Sequence, residues 1–266
     1  MKIFFLFLAV LTFFSSIAQP KILTHAVVTS KTSITLPDDM PAMQDGDGNR
    51  MVMINGMSGG DDTKTTIWYN GDKVKIVNDG GMGKSTIIIN KAEKKTTTLI
   101  EMMGNKTGFV STEEDEIQQR KRMDSMMGAR RNSVTNISID YFDDTKKIAG
   151  YECKKALIKT SHQNGKTDSM FVWFTPEIKM AEGYSFRSGG MMGGGGNMSG
   201  FDKLNGFPMK YEMKMRRGMI MSMEVTKIDT EKNISDNEFD IPKGFDIKPM
   251  SEMRGPGGGM QFRTGG

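Results

Sequence analysis

FPMKYEMKMRRGMIMSMEV, residues 207–225, alternates at period two on both sides of an Arg-Arg-Gly turn. A three-residue loop of Arg216, Arg217 and Gly218, with the glycine in the left-handed position, closes two such runs into a β-hairpin. The register that follows sets Met215 opposite Met219, Met213 opposite Met221, Tyr211 opposite Met223 and Met209 opposite Val225. All eight side chains then share one face, because successive residues of a strand point to opposite sides. The other face sets Lys210 opposite Glu224, a favourable cross-strand pair. A slip of one residue would mix the two sets, so the pattern itself specifies the register.

The same alternation runs through most of the chain. TTIWY and KVKIV flank Asn70-Gly71, a dipeptide that marks a tight hairpin turn. Further strands are expected at 22–36, 50–55, 86–90, 96–102, 134–142, 151–160, 169–174 and 238–241. One segment departs from this pattern. Ser111 to Gly128 opens with Ser111-x-x-Glu114, a capping box, and gathers Glu and Asp in its first turn. It predicts a helix whose thin apolar stripe (Ile117, Met123, Met126, Met127) lies over a sheet. No repeat of about 20–50 residues is visible, which argues against a solenoid or propeller. The expected fold is mainly β (α+β): a curved antiparallel sheet with one main helix.

The first eighteen residues carry a basic Lys2, an apolar stretch from Ile3 to Phe14 and a small-residue site at Ser16-Ile17-Ala18. They read as a signal peptide cleaved near Ala18-Gln19, because the apolar stretch is shorter than the roughly 20 residues a membrane span needs. The expected product is a periplasmic or secreted protein with no membrane span, a single β-rich domain over 19–249 and a disordered tail over 250–266. Residues 188–200 (SGGMMGGGGNMSG) are too rich in glycine to order themselves and form a loop.

Charge is balanced, with 36 basic and 32 acidic residues and a formal net charge of +4, too mild and dispersed to argue for nucleic acid. A single cysteine, Cys153, cannot form an internal disulfide. Methionine is the anomaly: 26 Met against 15 Phe, 5 Tyr and 2 Trp.

NDGGMGKST, residues 78–86, resembles a phosphate loop only superficially. The motif requires a first glycine where Asn78 stands, and a helix where the β-branched run TIIIN follows. It is expected to be a mobile connection between strands, with Lys84 in solvent. Two histidines, His25 and His162, have no metal-ligand partner at helical spacing, and no cofactor is expected. The acidic pairs Asp38-Asp39, Asp61-Asp62 and Asp143-Asp144 suit turns. Cys153 reads as a small buried hydrophobe more readily than as a nucleophile. The chain carries no enzymatic constellation.

A methionine-lined face has three readings: a core packed with an adaptable side chain, a deformable cavity for an acyl chain or apolar peptide, or a thioether site for Cu(I) or Ag(I). The second makes Met209, Tyr211, Met213, Met215, Met219, Met221 and Met223 ligand-binding residues, with Trp173 beside them. The third adds Met191, Met192 and Met198 as metal ligands.

KKIAGYECKKALIKT (146–160), VWFTPEI (172–178) and EFDIPKGF (238–245) resemble a secreted family common in Bacteroidetes, the domain of unknown function 4412. That family is similar to the GLPGLI group and, more remotely, to the LolA-like lipoprotein carriers. The resemblance implies an incomplete β-barrel closed on its concave side by helix or loops. It also implies a carrier role for an apolar small molecule or a lipid or lipoprotein acyl chain. The sequence does not fix the oligomeric state.

Overall fold

The structure is a computed structural model, and it describes residues 19–37, 43–44, 50–54, 57–59, 62–81, 83–127, 134–180, 200–215 and 218–252. The expected signal peptide, Met191, Met192, Met198, Arg216 and Arg217 lie outside the described residues, as does the tail beyond 252.

The alternating segments fold as strands. In chain order these are β1 (Lys21–Leu23), β2 (His25–Thr35), β3 (Met43–Gln44), β4 (Arg50–Ile54), β5 (Met57–Gly59), β6 (Thr63–Asn70), β7 (Lys73–Gly80), β8 (Gly83–Asn90), β9 (Lys95–Met102) and β10 (Asn105–Thr112). Helix α1 (Glu113–Met127) follows. The remaining strands are β11 (Val134–Ile148), β12 (Tyr151–His162), β13 (Thr167–Thr175), β14 (Ile178–Met180), β15 (Phe207–Lys214), β16 (Ile220–Asp229) and β17 (Asp246–Pro249).

Twelve of them make one sheet in the order β11-β12-β13-β15-β16-β2-β6-β7-β8-β9-β10-β17. Its ends, β11 and β17, do not meet, so the sheet is not closed into a barrel. Pairing is antiparallel except at β10–β17, which is parallel; β1 and β14 form a separate parallel pair. Period-two sequence patterns give no sign of strand direction, which is why these two parallel contacts were not expected.

Each face of the sheet buries a different set of side chains. The main core gathers Ala26 and Val28 of β2, Tyr69 of β6, Ile76 of β7, Ile87 of β8, Val172 of β13 and the apolar residues of β15–β16. On the reverse face a smaller cluster packs Val27, Ile88 and Leu99 under Ile234 and Phe239 from the chain after β16, with Trp68, Phe245 and Ile247 against it. The rest of that face carries a cross-strand row running Lys155, Trp173, Lys210, Glu224, Lys31, Lys64, Asp79, Lys84, Glu101 and Lys106. Opposite charges alternate along much of it, which favours this register.

Several expectations need correction. The helix is capped one residue later than the sequence suggested: the Asp115 N–H donates to Thr112 Oγ1 at 3.2 Å, and the Thr112 N–H donates to Asp115 Oδ2 at 2.9 Å. Ser111 is instead buried in β10, where its hydroxyl donates to the Thr96 carbonyl. Ile117 is 43% exposed, so that part of the stripe does not lie over the sheet. The segment 238–241 is no strand; Asp236–Phe239 forms a 3-10 turn that drives Phe239 into the smaller cluster. The β6–β7 turn falls at Gly71 and Asp72, one residue on, with Asn70 pairing Lys73 as the last strand residue.

NDGGMGKST is mostly strand rather than loop. Asn78 pairs Ser85, Asp79 pairs Lys84 and Gly80 pairs Gly83, which leaves only two residues to turn. Gly83 is required by packing, since a Cβ there would strike the Glu101 carbonyl oxygen of β9. Its glycine serves a close strand approach, not an anion.

Candidate functional site

The β15–β16 hairpin has the register read from the sequence. Tyr211 pairs Met223, Met213 pairs Met221 and Lys210 pairs Glu224. The loop closes where the Met215 N–H donates to the Met219 carbonyl at 2.7 Å, and Gly218 takes the left-handed conformation at φ 76°. Met209, Tyr211, Met221, Met223 and Val225 are buried in the main core, and Met219 is buried at the turn. Met213 and Met215, next to the turn, are half-buried against that core. The β15 side of the face therefore grades from sealed at Met209 to half-buried at Met215, while the β16 side is buried throughout. Tyr211 stacks at 5.0 Å on Phe201, and burial pushes its hydroxyl up to about 12, so it stays protonated.

Trp173 belongs by cross-strand pairing to the charged row of the reverse face. It sits between Val172 and Phe174, both buried in the main core, and pairs Lys155 and Lys210. Lys146 Nζ stands 5.0 Å from its ring centroid and Lys155 Nζ 5.9 Å. Trp173 also packs, half-buried, against the main core to which Met209, Tyr211, Met221 and Met223 belong.

Sequence reading missed a cavity of about 570 Å³ on that same reverse face. Val27, Thr29, Thr66, Trp68 and Val77 form its floor. Lys64, Lys84, Lys227, Lys232, Asp79 and Asp229 form its rim. Lys64, Asp79 and Lys84 are separated in sequence and meet only through the pairing of β6, β7 and β8. Lys84 is exposed, as expected, but it faces this rim. Beside the floor, Lys75 Nζ lies 5.2 Å from the Trp68 ring and donates to the Glu238 carbonyl at 2.7 Å. Burial lowers the Lys75 pKa; Glu238 opposes that shift and Lys84 adds to it. Among the described residues the buried Trp68 Nε1–H has no acceptor.

Cys153 and His162 lie apart from this cavity. Cys153 is fully buried, and burial raises its thiol to about 11, far from a thiolate at neutral pH. His162 pairs with Asp168 at 2.8 Å. Among the described residues no three His, Cys, Asp or Glu side chains gather as metal ligands.

The family model described as Domain of unknown function (DUF4412) matches residues 48–245, most of the chain and ten of the twelve strands of the large sheet. The chain belongs to the DUF4412 family. A search of curated proteins returned no match. Among solved structures, this DUF4412 chain is similar to PNGF-II at 17% identity and TM-score 0.37, covering 85% of this chain and 31% of that one. It is similar to MucB at 8% identity and TM-score 0.37, covering 82% and 58%. A LolA superfamily protein from Nitrosomonas europaea is similar at 7% identity and TM-score 0.32, covering 84% and 93%. The DUF4412 chain thus spans under a third of PNGF-II and little more than half of MucB. No described helix of it is long and apolar enough to cross a membrane.

Proposed function

We propose that this DUF4412 protein is an exported, non-enzymatic binding or carrier protein for an apolar ligand, an acyl chain or hydrophobic peptide, held against the methionine face of β15–β16. One observation carries the reading. On β15 exposure rises toward the turn, with Met209 sealed and Met213 and Met215 half-buried, while Met219 and Met221 opposite them on β16 stay buried. Unbranched thioether side chains repack at low cost, so a chain entering at the turn displaces Met215 and Met213 first and leaves the sheet register intact. The Lys210–Glu224 pair lies on the reverse face, away from the side chains that repack. Export rests on the signal-like first eighteen residues. A non-enzymatic role is supported by the protonated, buried Cys153 thiol.

Titration with the neutral apolar dye N-phenylnaphthylamine and with a fluorescent fatty acid tests the reading. Saturable uptake that Met213→Lys abolishes, with the fold retained by circular dichroism, supports it. Absence of saturable uptake by the wild-type protein overturns it.

A further inference from the structure

We propose that the cavity on the reverse face is a second binding site, for an amphipathic anion: a short apolar body bearing one negatively charged head. The floor supplies the apolar half. Val27, Trp68 and Val77 present an aliphatic and aromatic surface, and about 570 Å³ accommodates a small organic molecule.

The rim supplies the charge. Four lysines surround two aspartates, and the aspartates are unevenly committed. Asp229 is held by Lys227 at 3.2 Å and by the N–H groups of Glu231 and Lys232, which keep its carboxyl ionised and turned to its own loop. Asp79 is one carboxylate placed between two lysines, Lys64 and Lys84. Among the described residues Lys64, Lys84 and Lys232 form no ion pair. The surplus is therefore positive and borne by side chains free to turn toward a ligand. A cleft with apolar walls focuses that potential more strongly than a flat surface does. A neutral molecule satisfies only the floor and a bare anion only the rim, so selectivity requires both parts in one ligand.

Trp68 gives the readout, because Trp173 is the only other tryptophan in the chain. In the full-length Trp173→Phe protein, Trp68 emission is followed during titration with decanoate, decanol and acetate at low salt. The site predicts a saturable change with decanoate and binding at least about tenfold weaker for decanol and acetate. It further predicts about tenfold weaker decanoate binding in Lys64→Gln/Lys84→Gln and a dissociation constant that rises with salt. The replaced lysines form no ion pair, and Lys232→Gln provides a second, single-site variant with the same expected direction. Equal affinity for decanoate and decanol, or unchanged decanoate binding in both lysine variants, overturns the proposal. Co-sedimentation with phosphatidylglycerol vesicles separates the sources of the anion. Lysine-dependent capture assigns the site to a lipid headgroup, and decanoate binding without capture assigns it to a free organic acid. Uptake of N-phenylnaphthylamine stays unchanged in the lysine variants, so this site and the methionine face succeed or fail independently.

Discussion

Lys210 reaches Glu224 at 2.6 Å across β15–β16, directly behind the row in which Tyr211 pairs Met223. One hairpin thus presents a charged pair on one side and buried thioethers and aromatics on the other. The two sides differ in energetic weight. Lys210 and Glu224 are partly exposed, so their coupling should be about 0.2–1 kcal/mol and shrink with salt. A double-mutant cycle with Lys210→Ala and Glu224→Ala, followed by urea unfolding at low and high salt, measures it. A coupling of several kcal/mol would show that the pair, not the buried face, holds the register.

The methionines should separate by depth. Met209 is fully buried, and Met209→Ala should destabilise the protein by about 2–5 kcal/mol. Met213→Leu, at a half-buried site of similar volume, should change stability by less than about 1.5 kcal/mol. Chemical denaturation gives both values. If Met213→Lys leaves apolar-dye affinity untouched in the folded protein, the half-buried end of β15 has no part in binding.

Cys153 should be silent to thiol reagents in the native state and reactive in urea. Its folded value, about 11, lies above the ordinary 9.0, so the fold favours the protonated thiol. The unfolded chain releases this proton first as pH rises, and stability should fall between about pH 9 and pH 11. Below pH 9 both states hold the proton and the stabilising preference is fully present. Cys153→Ala should remove this component of the alkaline slope. Comparing urea midpoints of the two proteins from pH 8 to about pH 11 reads the difference; equal slopes would contradict it.

Gly83 should resist substitution although it lies beside an exposed turn. A Cβ at this position meets the Glu101 carbonyl, so Gly83→Ala should cost on the order of 1–3 kcal/mol, read as a lowered melting temperature. Lys84→Ala, one residue on, should leave stability within about 0.5 kcal/mol. Similar effects from the two changes would undo the packing account of this glycine.

How far the sequence was legible follows from the range of each signal. The β15–β16 register was readable because nineteen residues carry two incompatible faces, and only one alignment separates them. The β10 strand at Asn105–Thr112 was hidden by Gly108, which weakens a strand pattern when read locally. In the fold it permits close approach, as a Cβ there would lie 2.8 Å from Leu99 Cδ2. The four residues 238–241 were too few to distinguish alternation from a 3-10 turn, and burial of Phe239 decides the matter through long-range contacts. The lysine-rimmed cavity was not legible, because it draws on β2, β6, β7, β8 and β16, and its charges meet only through the order of strands.

The most direct test of the methionine face as an apolar-ligand site is native mass spectrometry of the protein purified from its host's envelope fraction. The account predicts an added mass that fragments as an acyl chain or apolar peptide, present in the wild-type protein and lost in Met213→Lys. A bare polypeptide mass, together with no saturable uptake of added fatty acid, would contradict it and leave those methionines as core.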